Sequence, residues 1–113
     1  MIREIITYES YYDDFIATLS REAIKKIHYI FDLLTTENKI NKKFVKHIRE
    51  EVYEMRIFVD SNIYRIFFIF DEGKIVVLFN GFQKKTRKTP EKEIQKALRI
   101  KNEYYEYKQN QKH

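Results

Sequence analysis

Val52-Tyr53-Glu54-Met55-Arg56-Ile57-Phe58-Val59-Asp60-Ser61-Asn62-Ile63-Tyr64-Arg65-Ile66-Phe67-Phe68-Ile69-Phe70 is the stretch whose reading decides the fold. From Val52 the pattern repeats every two residues. Tyr53, Met55, Ile57 and Val59 fall on one face, and Glu54, Arg56 and Phe58 on the other, which is the alternation of a strand with one side buried. Asp60-Ser61-Asn62 supplies a turn. Beyond it Tyr64, Ile66, Phe68 and Phe70 share one side, and Arg65, Phe67 and Ile69 the other. Asp71-Glu72-Gly73 is a hairpin signal, and Ile75 to Phe79 reads as the next strand. Strands joined by turns this short pair as an antiparallel meander.

Upstream of the meander, Ile2 to Tyr8 reads as a first strand, rich in β-branched residues. Ser10-Tyr11-Tyr12-Asp13 has capping-box spacing and predicts a short helix through Phe15, Ile16 and Leu19. Ser20 can cap a second helix, whose stripe is Ile24, Ile27, Phe31 and Leu34, widened by Ala23 and Ile30. Thr35 to Asn41 is polar and reads as a turn; Lys42 to Glu51 reads as one helical turn or an irregular segment. Downstream, Thr89 can cap a last helix with Pro90 at its first position and an apolar stripe of Ile94, Ala97, Leu98 and Tyr105. Lys108 to His113 looks frayed. The expected order is β-α-α-β-β-β-α, a single α+β domain over residues 1–113. Two N-terminal helices pack on one face of a small antiparallel sheet and leave the other face open to a ligand.

With 113 residues there is room for one modest core. Nine Phe and nine Tyr supply much of it, and two Gly and one Pro leave few hinges. The absence of Cys excludes disulfides and thiolate metal ligands. No apolar run is longer than Ile66 to Phe70, far short of the ~20 residues of a spanning helix, and Met1-Ile2-Arg3-Glu4 does not open a signal peptide. A cytoplasmic protein with no membrane partner is expected. The net charge is +5 and unevenly placed. Residues 83–101 hold eight Lys or Arg against Glu91 and Glu93, a net of +6, so the remainder sits near −1. A charge run is usually a solvated face. This one begins where a strand ends and continues into a helix, which concentrates a positive field at one sheet edge and favours a polyanionic partner.

The element order and three strings resemble the RelE/ParE superfamily of toxins, in particular its phage-derived, HigB-like branch. The strings are Tyr53-Glu54-Met55-Arg56-Ile57, Tyr64-Arg65-Ile66-Phe67-Phe68 and, most specific, Gly81-Phe82-Gln83-Lys84-Lys85-Thr86-Arg87-Lys88-Thr89-Pro90. The resemblance implies a metal-free, cofactor-free ribonuclease that cuts mRNA in the ribosomal A site, the RNA 2′-hydroxyl attacking the neighbouring phosphate. It implies a helix-turn-helix antitoxin as partner, with operator DNA reached only through that antitoxin. Asn80 stands where the family often has His, so no histidine proton carrier is named at that position.

Such a reaction needs a proton acceptor, cations around the crowded phosphorane and a donor for the leaving oxygen. Arg56 and Arg65 are the first candidates, as a clamp on the scissile phosphate; the plainer reading pairs each with Glu54 or Asp71 in solvent. Lys84 and Lys85 are candidates for transition-state stabilisation or, with a depressed pKa, for the base; simple phosphate attraction is the plainer alternative. Arg87 and Lys88 suit RNA backbone. Phe82 is a candidate base-stacking residue, although a Phe after a strand is more often core. His47 is a minor candidate for general acid or base, or for RNA contact, because its position just before the second strand could bring it to the open face. His28 lies within a helix and His113 at the end; three scattered His without HxxxH or HxH spacing make no metal site. Two other readings stay open: a ParE-like protein that poisons gyrase without cutting RNA, and a decayed toxin that only binds RNA or its antitoxin.

Overall fold

The computed structural model describes residues 1–111. Strand β1 (Glu4–Thr7) leads into helices α1 (Tyr11–Ile16) and α2 (Arg21–Thr36). Strands β2 (Val45–Arg49), β3 (Val52–Val59), β4 (Asn62–Asp71) and β5 (Ile75–Gln83) follow, and helix α3 (Glu91–Gln111) ends the described chain. The strands form one sheet in the order β1-β5-β4-β3-β2, antiparallel except for β1, which runs parallel to β5. The α+β class and the central meander are those expected from the sequence.

The apolar face of the meander packs as its alternation predicts. Met55, Ile57, Ile66, Phe68, Val76 and Leu78 meet Tyr12 and Phe15 of α1 and the α2 ridge Ala23, Ile27, Ile30 and Leu34. That ridge is rotated slightly from the expected stripe, since Ile24 and Phe31 are only half-buried. Ser20 caps α2 by accepting the Ala23 N–H at 3.2 Å, whereas Ser10 gives its hydroxyl to Asp14 rather than to the α1 backbone. The far end of α2 is closed by Arg3, whose guanidinium donates to the carbonyls of Leu34, Glu37 and Asn38 at 2.8–3.0 Å. Orphan carbonyls at a helix C-terminus are well served by a cation.

The expectation of an open second face needs correcting. Helix α3 lies across part of it, where Ile94, Ala97, Leu98, Ile100 and Tyr104 cover Val52, Phe67, Ile69, Val77 and Phe79. Phe67 and Ile69 are apolar residues on the polar side of β4, and they require such a cover. Among the described residues, the end carrying Arg56, Phe58 and Ile63 is left open, with Phe58 exposed and the other two half-buried. The helix stays ordered through Gln111, with Lys108 bonded to Asp71, so the expected fraying from Lys108 does not hold there; residues 112 and 113, His113 included, lie outside the described residues. No helix among the described residues is long and apolar enough to cross a membrane.

Two irregularities shape the rest. The segment expected to be a helical turn or irregular contains a strand, β2. It follows a turn in which the Asn41 carbonyl accepts the N–H groups of Phe44 and Val45. Five residues at the sheet edge, interrupted by a register shift between His47 and Arg49, are too few to show an alternation. The β2–β3 turn is made by Glu50 and Glu51, both at positive φ (46° and 73°), without the Asn-Gly signature that announces such turns. In β5, Phe79 and Asn80 together oppose Phe67, a β-bulge between the Ile66–Gly81 and Phe68–Leu78 pairs. The bulge resets the phase so that Gly81 faces α1, where any Cβ would come within 2.3 Å of the Phe15 ring.

Candidate functional site

The β3–β4 register sets Arg56 directly opposite Arg65 on the face away from α1 and α2. Two residues back, Glu54 shares that face and is 2% exposed. Its Oε1 lies 3.3 Å from Arg65 Nε and 3.8 Å from Arg56 Nε. Its Oε2 accepts the Thr89 hydroxyl at 3.0 Å. One carboxylate thus holds two guanidiniums by their inner nitrogens and pins the basic segment before α3. The Thr89 hydroxyl donates its proton here, and α3 begins at Glu91 with the Pro90 carbonyl accepting the N–H groups of Glu93 and Ile94, one residue later than the start expected from Thr89 and Pro90.

The two arginines are not equivalent. Arg56 keeps 29% of its side chain exposed. Arg65 is 1% exposed, with Nη1 donating to the Tyr64 carbonyl at 3.2 Å. The plainer reading, with both arginines in solvent, is therefore corrected for Arg65, a cation built into the floor, whereas Arg56 reaches outward. Burial pushes the Arg65 guanidinium below the ordinary arginine range; Glu54 opposes that shift and Arg56 adds to it. Arg65 keeps its charge all the same and projects a positive field into the space above it.

Lys84 is tied to β4 by its backbone N–H, which donates to the Ile63 carbonyl at 2.7 Å. Burial and then Arg65 push its ammonium down from the usual lysine value, Glu54 pulls it back, and Arg56 and Lys46 push it down again. Lys46 pairs with Glu54 across the β2–β3 ladder, so it belongs to the same cluster. Around one carboxylate stand Lys46, Arg56, Arg65 and Lys84. Lys85, Arg87 and Phe58 join Arg56, Arg65 and Lys84 in lining an open cleft of about 600 Å³. Lys88 is exposed on the same segment, its carbonyl accepting the Thr86 hydroxyl at 2.8 Å.

Other candidates lie elsewhere. Phe82 is stacked on Phe67 with centroids 5.6 Å apart, packed against the core under α3. His47 pairs with Tyr53 on the α2 side of the sheet, its ring 5.1 Å from the tyrosine ring, and at the sheet edge it lines a second open cleft together with Lys46 and Arg56. Asn80 is buried, its amide 3.4 Å from the Glu93 carbonyl and carboxylate. His28 lies exposed on α2. Among the described residues no group of three or more His, Asp or Glu could hold a metal ion.

Sequence reasoning missed Lys46, because its strand was not seen. It treated Glu54 only as an exposed partner, and it placed Phe58 on the polar side without a task. The usable signal for Phe58 was that a large apolar residue there alternates with arginine rather than with a helix-covered position.

The chain matches the family described as phage derived protein Gp49-like (DUF891) over residues 14–102. The matched span holds α2, strands β2 to β5, the basic segment and the covering half of α3, and so every residue of the cluster. Among curated proteins none matches the chain. With the match covering most of its length, the chain belongs to the phage-derived Gp49-like family.

Proposed function

We propose that this protein is a RelE/HigB-like toxin, an endoribonuclease that cuts mRNA on the ribosome and is neutralised by a cognate antitoxin. The observation that carries the reading is the excess of cations over Glu54 at the uncovered end of the sheet. Lys46, Arg56, Arg65 and Lys84 surround a single carboxylate. A fold gains nothing from such an imbalance, whereas a phosphodiester passing through a dianionic phosphorane does. The resemblance of the strings around Arg56, Arg65 and Lys84 to that toxin branch supplies the substrate.

In this reading Arg56 binds the scissile phosphate from the solvent side, and Arg65 stabilises it through the field of the floor. The 2′-hydroxyl loses its proton as its oxygen attacks phosphorus. The bond to the 5′-oxygen breaks, leaving a cyclic phosphate, and the departing 5′-oxygen takes a proton from water to become a hydroxyl. Lys84 is the candidate acceptor of the first proton, because burial and the neighbouring Arg65 disfavour its charged form. Lys85, Arg87 and Lys88 hold the flanking backbone.

The test is induction without the antitoxin, with mRNA 5′ ends mapped by primer extension. The expected result is growth arrest with translation-dependent cuts inside coding regions. Those cuts should fall by about a hundredfold in an Arg56→Ala variant, on the scale of losing one preorganised transition-state contact. Arrest with intact mRNA and damaged DNA would replace this reading with gyrase poisoning. No arrest would leave only a binding protein.

A further inference from the structure

Among the described residues Phe58 is the one exposed phenylalanine, 41% open. It sits on β3 two residues beyond Arg56, on the face that carries the cationic cluster, and lines the same cleft. Its ring lies 5.4 Å from the Arg65 guanidinium and 6.0 Å from that of Arg56. Those contacts hold the ring, since a guanidinium against an aromatic ring is attractive in its own right. They also leave much of the residue open between Arg56 and the Lys84–Lys85 stretch.

An aromatic ring held on a rigid strand, backed by guanidinium and flanked by phosphate-binding cations, has the makeup of a platform for a single-stranded base. Phe82, the aromatic that the sequence offers for this task, is occupied by Phe67. Resting on the reading of the cleft as an RNA site, we infer that Phe58 stacks on an unpaired nucleobase next to the scissile phosphate. The ligand is single-stranded RNA, because the cleft offers one ring for a base and Arg56, Lys84 and Lys85 for its phosphates. A protein partner that buried Phe58 would bring an apolar pocket and has no use for that many cations.

The experiment measures binding of a short RNA made uncleavable by 2′-O-methylation, both free at low salt and as the A-site codon of a programmed ribosome. Wild type, Phe58→Ala and Phe58→Trp are each tested against the intact oligonucleotide and against versions with one abasic site moved along it. Stacking predicts that Phe58→Ala weakens the intact complex roughly tenfold or more. One abasic position should weaken wild type by a similar factor while leaving Phe58→Ala unaffected, and Phe58→Trp should bind as wild type does. The wild-type abasic scan needs no mutant, so it stands even if Phe58→Ala folds poorly. Equal abasic penalties in wild type and Phe58→Ala, with binding still dependent on Arg56, would overturn the platform and spare the RNA site. Absence of wild-type binding in both formats would overturn both.

Discussion

Glu54 and Asp71 are two buried carboxylates on the same face of the sheet, 2% and 3% exposed, and their surroundings differ in kind. Asp71, at the end of β4, receives the Tyr104 hydroxyl and the Lys108 ammonium from α3, each at 2.6 Å. There the helix lies over the sheet and charge is matched by charge. Glu54, near the start of β3, accepts the Thr89 hydroxyl at 3.0 Å on one oxygen and shares the other between Arg65 Nε at 3.3 Å and Arg56 Nε at 3.8 Å. Lys46 and Lys84 add to an already positive surround. Close hydrogen-bonded pairing under a helix is how a buried ion is made tolerable. Surplus charge under an open cleft departs from that rule, and such departures collect at functional sites.

The largest effect should come from removing the buried cation at the surplus end. Arg65→Ala leaves Glu54 buried without its nearest counterion, and breaking a buried pair from one side costs about 3–5 kcal/mol. Urea unfolding should register that loss. Replacing both partners by similar apolar or neutral groups, as in Glu54→Gln with Arg65→Met, should restore much of the stability while leaving cleavage abolished. A cost below about 1 kcal/mol for Arg65→Ala would mean that the pair is not a buried one in solution, and the contrast with Asp71 would collapse.

How far this contrast could be read from sequence depends on the residue. The alternation from Tyr53 to Phe70 placed Arg56 and Arg65 on one side, and their facing register follows from the short turn between the strands. It did not show that Arg65 is buried, because a polar residue on the polar phase of a strand ordinarily points to water. Phe58 and Lys84 come to lie beside Arg65, and Thr89 reaches the Glu54 carboxylate that pairs with it, only in three dimensions. The same holds for Asp71, read from sequence as a turn residue, whose partners lie 33 and 37 positions away. Lys46 was hidden by an edge strand too short and too irregular to show its period. The β5 bulge was invisible for another reason: Phe79-Asn80 looks like ordinary strand, and only the ladder shows two residues facing Phe67.

A smaller effect is expected at the matched end. Asp71→Asn keeps the shape but removes the charge that Tyr104 and Lys108 converge on, which should cost about 1–3 kcal/mol. Cleavage and RNA binding should not change. Loss of cleavage beyond what instability explains would show that the α3 end communicates with the cleft, and the two carboxylates would no longer be separable. Lys108 carries a sign that sharpens the comparison. Its pKa is raised above 10.5, first by its hydrogen bond to Asp71, so its stabilisation is full below 10.5 and is lost as pH rises through the folded value. Asp71→Asn should remove that alkaline loss.

Lys84 has the opposite sign, and the mildest substitution exposes it. Its folded pKa is lowered from 10.5, chiefly by burial and Arg65. The charged form is therefore penalised below the folded value, and stability rises as pH climbs from that value toward 10.5. Glu54 is the one neighbour that opposes the shift. In Glu54→Gln the amide oxygen can still accept the Thr89 hydroxyl, so the segment stays pinned while the counter-charge is gone. The Lys84 pKa then falls further. If the neutral amine takes the 2′-hydroxyl proton, the rising limb of the pH–rate profile moves to lower pH in Glu54→Gln, stays put in Asp71→Asn and disappears in Lys84→Arg. A profile that Glu54→Gln leaves in place would mean that the titrating group is not Lys84, and that its charge serves phosphate binding alone.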